Sequence, residues 1–266
     1  MNRLTSGSSK VNNFSATAAV AVIFLAAMFS LPASAVVAAE DPAGLKAQAE
    51  ALFAQRLDQT KALAAIEAYR RAAAAKPDDI EVYLRLARAL VWVGMQRRGE
   101  EEIAYYDQAI SVAEEAVRRA PNQAGPHYWL GAAYGLKANN ISGLKALKLV
   151  DPIKQEMDRV LALDPGYEYG GAHRVLGRLY SKLPGLFGGD KTKAEKHLRT
   201  ALSQAPGFLL SHLYLADLLI EQGRKDEAKE VLGQALRASV AAGLEPETIL
   251  WKAEAEKMIK KIETGK

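Results

Sequence analysis

Cysteine is absent from the 266 residues of this chain. That one absence excludes disulfides, thiolate metal sites and cysteine nucleophiles. Aromatic residues make up only 7%, and the ten prolines are scattered, so there is no proline-rich tract. An excess of one charge is also missing. There are 35 lysines and arginines against 31 acids, and two of the cations, Arg3 and Lys10, lie at the extreme N-terminus. A nucleic-acid surface needs a clustered basic excess, so the near-balance argues against one. No Gly-x-Ser-x-Gly elbow and no Walker lysine at phosphate-loop spacing occurs. With 49% hydrophobic and 25% charged residues, the chain has the composition of a folded protein rather than a disordered one. Alanine is abundant and β-branched residues do not cluster, which favours helix.

The N-terminus carries an export pattern. Arg3 and Lys10 precede an uncharged stretch from Val11 to Ala39, with its apolar heart at Ala16–Leu31. Pro32 follows, then Ala33-Ser34-Ala35, the small-x-small motif that signal peptidase accepts. The reading is a signal peptide over 1–35, cleaved after Ala35 or, as the alternative, after Ala39. An uncleaved anchor is the rival, because the stretch is as long as the ~20 residues a membrane-spanning helix needs. The positive end stays inside in either case. The expected destination is a bacterial periplasm, with membrane contact only through this segment.

The remaining chain repeats itself. Ala75-Lys76-Pro77, Ala120-Pro121, Asp164-Pro165 and Ala205-Pro206 each close an amphipathic run, with prolines 44, 44 and 41 residues apart. A second phrase follows each proline: Tyr83-Leu84-Arg85-Leu86-Ala87, His127-Tyr128-Trp129-Leu130-Gly131, His173-Arg174-Val175-Leu176-Gly177 and His212-Leu213-Tyr214-Leu215-Ala216. Small residues at fixed places let paired helices approach to about 8–10 Å, while large ones fill the groove between them. Proline cannot continue the second helix and so ends each unit.

These phrases resemble the tetratricopeptide-repeat (TPR) family. The resemblance implies an all-α fold: a right-handed superhelical stack of helix hairpins, closed by a C-terminal capping helix. The resemblance covers roughly 60–260, and the domain is expected over 41–266 with about five repeats, beginning near Ala43, Ile80, Ala124, Gly170 and Leu209, and a capping helix at 246–263. In that helix Ile249, Leu250, Ala253, Met258, Ile259 and Ile262 are expected to share one side. Three repeats are enlarged: around Arg97–Glu102, around Leu136–Val150 with Asn139-Asn140 as the expected turn, and at Leu183–Asp190. Gly188-Gly189-Asp190 reads as a turn with Asp190 capping the next helix, not as a phosphate loop. Enlarged units with this Gly-Gly-Asp loop are similar to the exported T-component proteins of TRAP transporters. Tyr134-Gly135-Leu136-Lys137-Ala138 also resembles the regulator-of-microtubule-dynamics group.

His127, His173 and His212 fall at the aromatic position of their repeats and read as core rings. They are expected to be separated along the stack, with no histidine–carboxylate pair and no metal site. No cofactor is expected. In TPR proteins the inner face of the first helix of each hairpin lines a concave groove. That resemblance places Arg88, Trp92, Tyr128, Arg174, Arg178 and Lys182 there. Arg174, Arg178 and Lys182 follow helical spacing and share one side. The expectation is a non-enzymatic scaffold that binds a protein or peptide, with Trp92 and Tyr128 as apolar anchors and the cations meeting an acidic or C-terminal carboxylate partner. The alternative is an accessory component of a periplasmic small-molecule transport system.

Overall fold

The computed structural model describes residues 41–239 and 242–265; the export pattern lies outside them. The described residues form helices and no strand. In chain order these are α1 (Pro42–Ala54), α2 (Gln59–Ala75), α3 (Ile80–Met95), α4 (Gly99–Arg119), α5 (Ala124–Asn140), the short α6 (Leu144–Leu147), α7 (Val150–Leu163), α8 (Tyr167–Lys182), α9 (Lys191–Gln204), α10 (Leu209–Glu221), α11 (Lys225–Arg237) and α12 (Glu245–Thr264). A 3-10 turn, Gly185–Phe187, lies between α8 and α9.

Five hairpins stack: α1 with α2, α3 with α4, α5 with α7, α8 with α9 and α10 with α11. Their starts are set locally. The Asp41, Asp58 and Asp190 side chains each accept from two backbone N–H groups at the head of α1, α2 and α9. Small residues allow the close approach. Ala65, Ala72, Ala87, Ala109, Ala116, Ala133, Ala201, Ala228 and Ala235 are all fully buried. At Gly177 a methyl group would stand 2.6 Å from Leu198 Cγ and 3.2 Å from the Ala194 carbonyl. Only glycine fits there.

In each hairpin the first helix crosses the stack and the second returns. The turns inside hairpins therefore lie along one edge and the turns between hairpins along the other. The core has two parts. One runs from α1 to α8, the other from α9 to α12, and Tyr180 packs against both.

Two local features depart from the sequence reading. Asn139 and Asn140 were expected to turn the chain, yet α5 runs through them and the turn follows. In α12, Ile249, Leu250 and Ala253 point outward. Met258, Ile259 and Ile262 pack with Trp251 against α10 and α11, and Ala255 is fully buried. The buried side is rotated because Pro246, Glu247 and Thr248 turn back into the stack.

At the head of α8 the backbone makes one left-handed turn, with φ of 49° at Glu168, 59° at Tyr169 and 71° at Gly170. Left-handed backbone costs about 1–2 kcal/mol per non-glycine residue. The turn is held by its surroundings. Tyr169 stacks on Phe208 at 4.9 Å, and Arg174 gathers the freed Glu168 and Tyr169 carbonyls at 3.2 Å each.

Candidate functional site at the concave face

The concave face is lined by α3, α5, α8 and α10. Its centre is filled by the protein itself. Arg174 is only 2% exposed. Its guanidinium donates to the Tyr128 hydroxyl at 2.9 Å and to the Glu168 and Tyr169 carbonyls, and lies 4.2 Å from the Phe208 ring centre. Tyr128 and Trp92 are buried as well. Burial pushes the Tyr128 hydroxyl above the usual phenol range, against the opposing pull of Arg174. Trp92 donates through Nε1 to the Arg56 carbonyl at 3.0 Å.

Arg88 is engaged from the far end of the chain. It donates to the Glu247 carboxylate at 3.0 Å and to the Gly243 carbonyl at 3.3 Å. Arg56, from the turn between α1 and α2, binds the same carboxylate, and it also donates to the Gly243 carbonyl at 2.7 Å. The head of α12 thus reaches across the groove to the first two hairpins. Glu168 lies in the same neighbourhood. Burial pushes its carboxyl up, against opposing pulls from Arg88, Arg174 and Arg85.

Arg178 and Lys182 sit further along α8, where the face is partly open. Both pair with Asp217 of α10, Lys182 at 2.7 Å. Lys182 also pairs with Glu221, which Lys191 reaches too. Cation and acid alternate between two adjacent hairpins. Burial pushes the Asp217 carboxyl up, but hydrogen bonds from Lys182 and Arg178 outweigh it and hold the group below its usual range. Glu221 is held low in the same way by Lys182 and Lys191.

Of the six residues picked from sequence, then, Arg178 and Lys182 share a half-exposed surface. Arg88 is tied to α12, and Trp92, Tyr128 and Arg174 are interior. Helical spacing put Arg174 on the same side as Arg178 but could not show that Phe208 and the left-handed turn cover it. Arg56, Glu168 and Glu247 were not picked out. They lie in turns or at a helix head, and their meeting depends on how far the stack curves.

The histidine expectation needs correction. His127 faces Glu156 of α7 through Nδ1 and the Pro121 carbonyl through Nε2 at 2.9 Å, so a histidine–carboxylate pair exists. His173 of α8 faces His197 of α9 within one hairpin. Their Nδ1 atoms lie 2.9 Å apart across the α8–α9 hairpin, and Tyr180 stacks on His197. His212 is buried, as a core ring would be. No cluster of three or more His, Asp or Glu able to hold a metal ion occurs among the described residues.

Residues 45–264 match the family described as the TRAP transporter T-component. The chain belongs to this family. Similarity to a solved structure, TTC0263, shows the TPR fold. TTC0263 is a thermophilic TPR protein of Thermus thermophilus, at 22% identity and a TM-score of 0.60, over 80% of this chain and 99% of that one. A further likeness is MamA from Desulfovibrio magneticus, at 19% identity and a TM-score of 0.45, over 72% and 93%. No curated protein matches this T-component chain. No helix among its described residues is long and apolar enough to cross a membrane.

Proposed function

We propose that this chain is an exported, non-enzymatic scaffold of a small-molecule transport system in the periplasm. Its role is to bind a protein partner through the open part of the concave face, between α8 and α10. The partner is the solute-binding protein that delivers the transported molecule. The T-component family supplies the transport setting, and the TPR stack supplies a surface made for protein contact.

The ladder of Arg178, Asp217, Lys182, Glu221 and Lys191 carries this reading. Its members are half-exposed, so their ion pairs are individually weak and can be exchanged for a partner's charges. Complementary charge of this kind steers encounter and sets orientation. Arg88, Trp92, Tyr128 and Arg174 take the lesser role of shaping the wall beneath it. A peptide lying along the groove centre would first have to release Glu247 from Arg56 and Arg88, which disfavours that mode of binding.

The test is Arg178→Glu with Lys182→Glu, crosslinked in the native envelope alongside the unaltered chain. Loss of the crosslinked solute-binding protein, with unchanged helicity by circular dichroism, is the expected outcome. Undiminished capture would remove the ladder from the interface. Crosslinks that never include a transport protein would remove the transport role.

A further inference from the structure

Among the described residues, Leu57, Met95, Leu144, Leu186 and Phe187 are exposed large apolar side chains in or beside turns inside hairpins, and hence along one edge, while Leu63, Tyr169, Ile249 and Leu250 are exposed elsewhere. Two enlarged repeats supply the two most exposed, Leu186 at 90% in the 3-10 turn and Leu144 at 77% at the head of α6, with the half-exposed Phe187 beside Leu186. Side chains this large and this open are unusual as a group and mark a contact surface.

The second insertion lies against α7, the helix that follows the first. The Lys154 ammonium of α7 comes within 3.7 Å of where a methyl on Gly188 would stand. Lys154 and Lys193 lie 5.7 and 5.8 Å from the Tyr180 ring centre. Lys145 and Lys148 of the first insertion are exposed and form no ion pair among the described residues. The nearby acids are few. Asp190 is committed to capping α9, with Lys193 at 3.6 Å, and Asp151 is exposed at the head of α7. The turns of the opposite edge carry Asp78, Asp79 and Asp164 and a single lysine, Lys76, and the exposed Arg118 and Arg119 beside them are paired with Glu115.

From this asymmetry we infer that the edge formed by the 141–149 and 183–190 insertions docks on a bilayer surface carrying anionic headgroups. Leu144, Leu186 and Phe187 enter the interface, and Lys145, Lys148, Lys154 and Lys193 meet the lipid phosphates. Two observations favour lipid over protein. The apolar groups stand at protruding tips rather than in a groove, and their flanking cations are lysines. Lysine is depleted in protein–protein interfaces, whereas lysine beside exposed leucine and phenylalanine is the composition of membrane-surface contacts. The inference does not rest on the transport role.

The absence of cysteine makes the test clean. The full chain carrying Leu186→Cys, or Asp78→Cys on the opposite edge, is labelled with nitrobenzoxadiazole. Each is mixed with vesicles of phosphatidylglycerol and phosphatidylcholine in equal parts, some with a nitroxide on the acyl chain. The label at 186 is expected to brighten and to be quenched by the nitroxide, while the label at 78 does neither. Lys145→Gln with Lys148→Gln should weaken the vesicle affinity read from the 186 signal about thirtyfold. An unchanged signal at 186 overturns the inference. So does equal quenching at both sites, since the N-terminal segment alone would then be holding the chain at the bilayer. Brightening at 186 that grows with protein concentration without vesicles assigns the edge to a second copy and overturns it too.

Discussion

Nε of Arg56 donates to the Glu247 carboxylate at 3.2 Å across 191 residues of sequence, joining the turn of the first hairpin to the head of the last helix. Both side chains are buried. Arg56 is also bonded to the Phe53 carbonyl at 3.0 Å and lies 4.7 Å from the Phe53 ring centre. Little of the guanidinium is left for water.

Removing Glu247 should therefore be costly. Glu247→Ala leaves the Arg56 charge buried without a counter-ion, and a loss of about 3–5 kcal/mol is expected in urea denaturation. Arg56→Met combined with Glu247→Leu should recover much of it, since a well-packed apolar pair can replace a buried ion pair. A Glu247→Ala loss below about 1 kcal/mol, the scale of a surface pair, would show the contact to be water-exposed.

Glu168 should act in the opposite sense to most carboxylates. Its folded-state pKa is raised by burial, so its contribution to stability is fully present below 4.5, the unfolded value, and is lost as pH rises through the folded value. Arg88, Arg174, Arg85 and Glu247 are the charges around it. Glu168→Gln should stabilise the protein at neutral pH and flatten this part of the pH dependence. Parallel stability–pH curves for the two proteins would contradict the assignment.

The His173–His197 pair should respond to acid in the reverse direction. The two facing Nδ1 atoms can hold one proton between them but not two. Burial pushes both imidazoles below the usual 6.5, with each other's charge adding to the effect on His197. Stability is therefore present above pH 6.5 and falls as pH drops through the folded values. Lys196 pushes His197 the same way and Asp158 opposes. His197→Phe keeps a ring against Tyr180 and should make the fall below pH 6.5 shallower. A fall of equal depth would place the titration elsewhere.

Two glycines should separate packing from helix propensity. Gly177→Ala places a methyl against Leu198 and the Ala194 carbonyl, and should cost about 1–3 kcal/mol through overpacking. Gly135→Ala in α5 meets only Val175 Cγ1, at 3.9 Å, and should gain up to about 1 kcal/mol. Equal effects at the two sites would mean that α8 and α9 are not in close contact at Gly177.

The hairpins were legible because their causes are local. Proline at 77, 121, 165 and 206 and small residues at 87, 131, 177 and 216 act within a single unit, and Asp190 caps within three residues of itself. The site was less legible. Arg174 keeps perfect helical register with Arg178, yet one is interior and the other open. What separates them is a left-handed turn at Glu168 and Tyr169, where side chains are normally unfavourable, together with Phe208 from the next hairpin. Glu247 sits at a helix head like any surface glutamate. Its partners are decided by the accumulated curvature of five units, which no window of sequence contains. His173 and His197 could have been found by pairing positions across the α8–α9 hairpin rather than along the stack.

Solenoids ordinarily lose order from their ends, each outermost unit peeling away with only one neighbour to hold it. The bond between Arg56 and Glu247 ties the first hairpin to the head of the last helix, so peeling either end of the described stack must also break a buried ion pair. The chain should come apart in a single concerted event, as a closed loop does, rather than unit by unit.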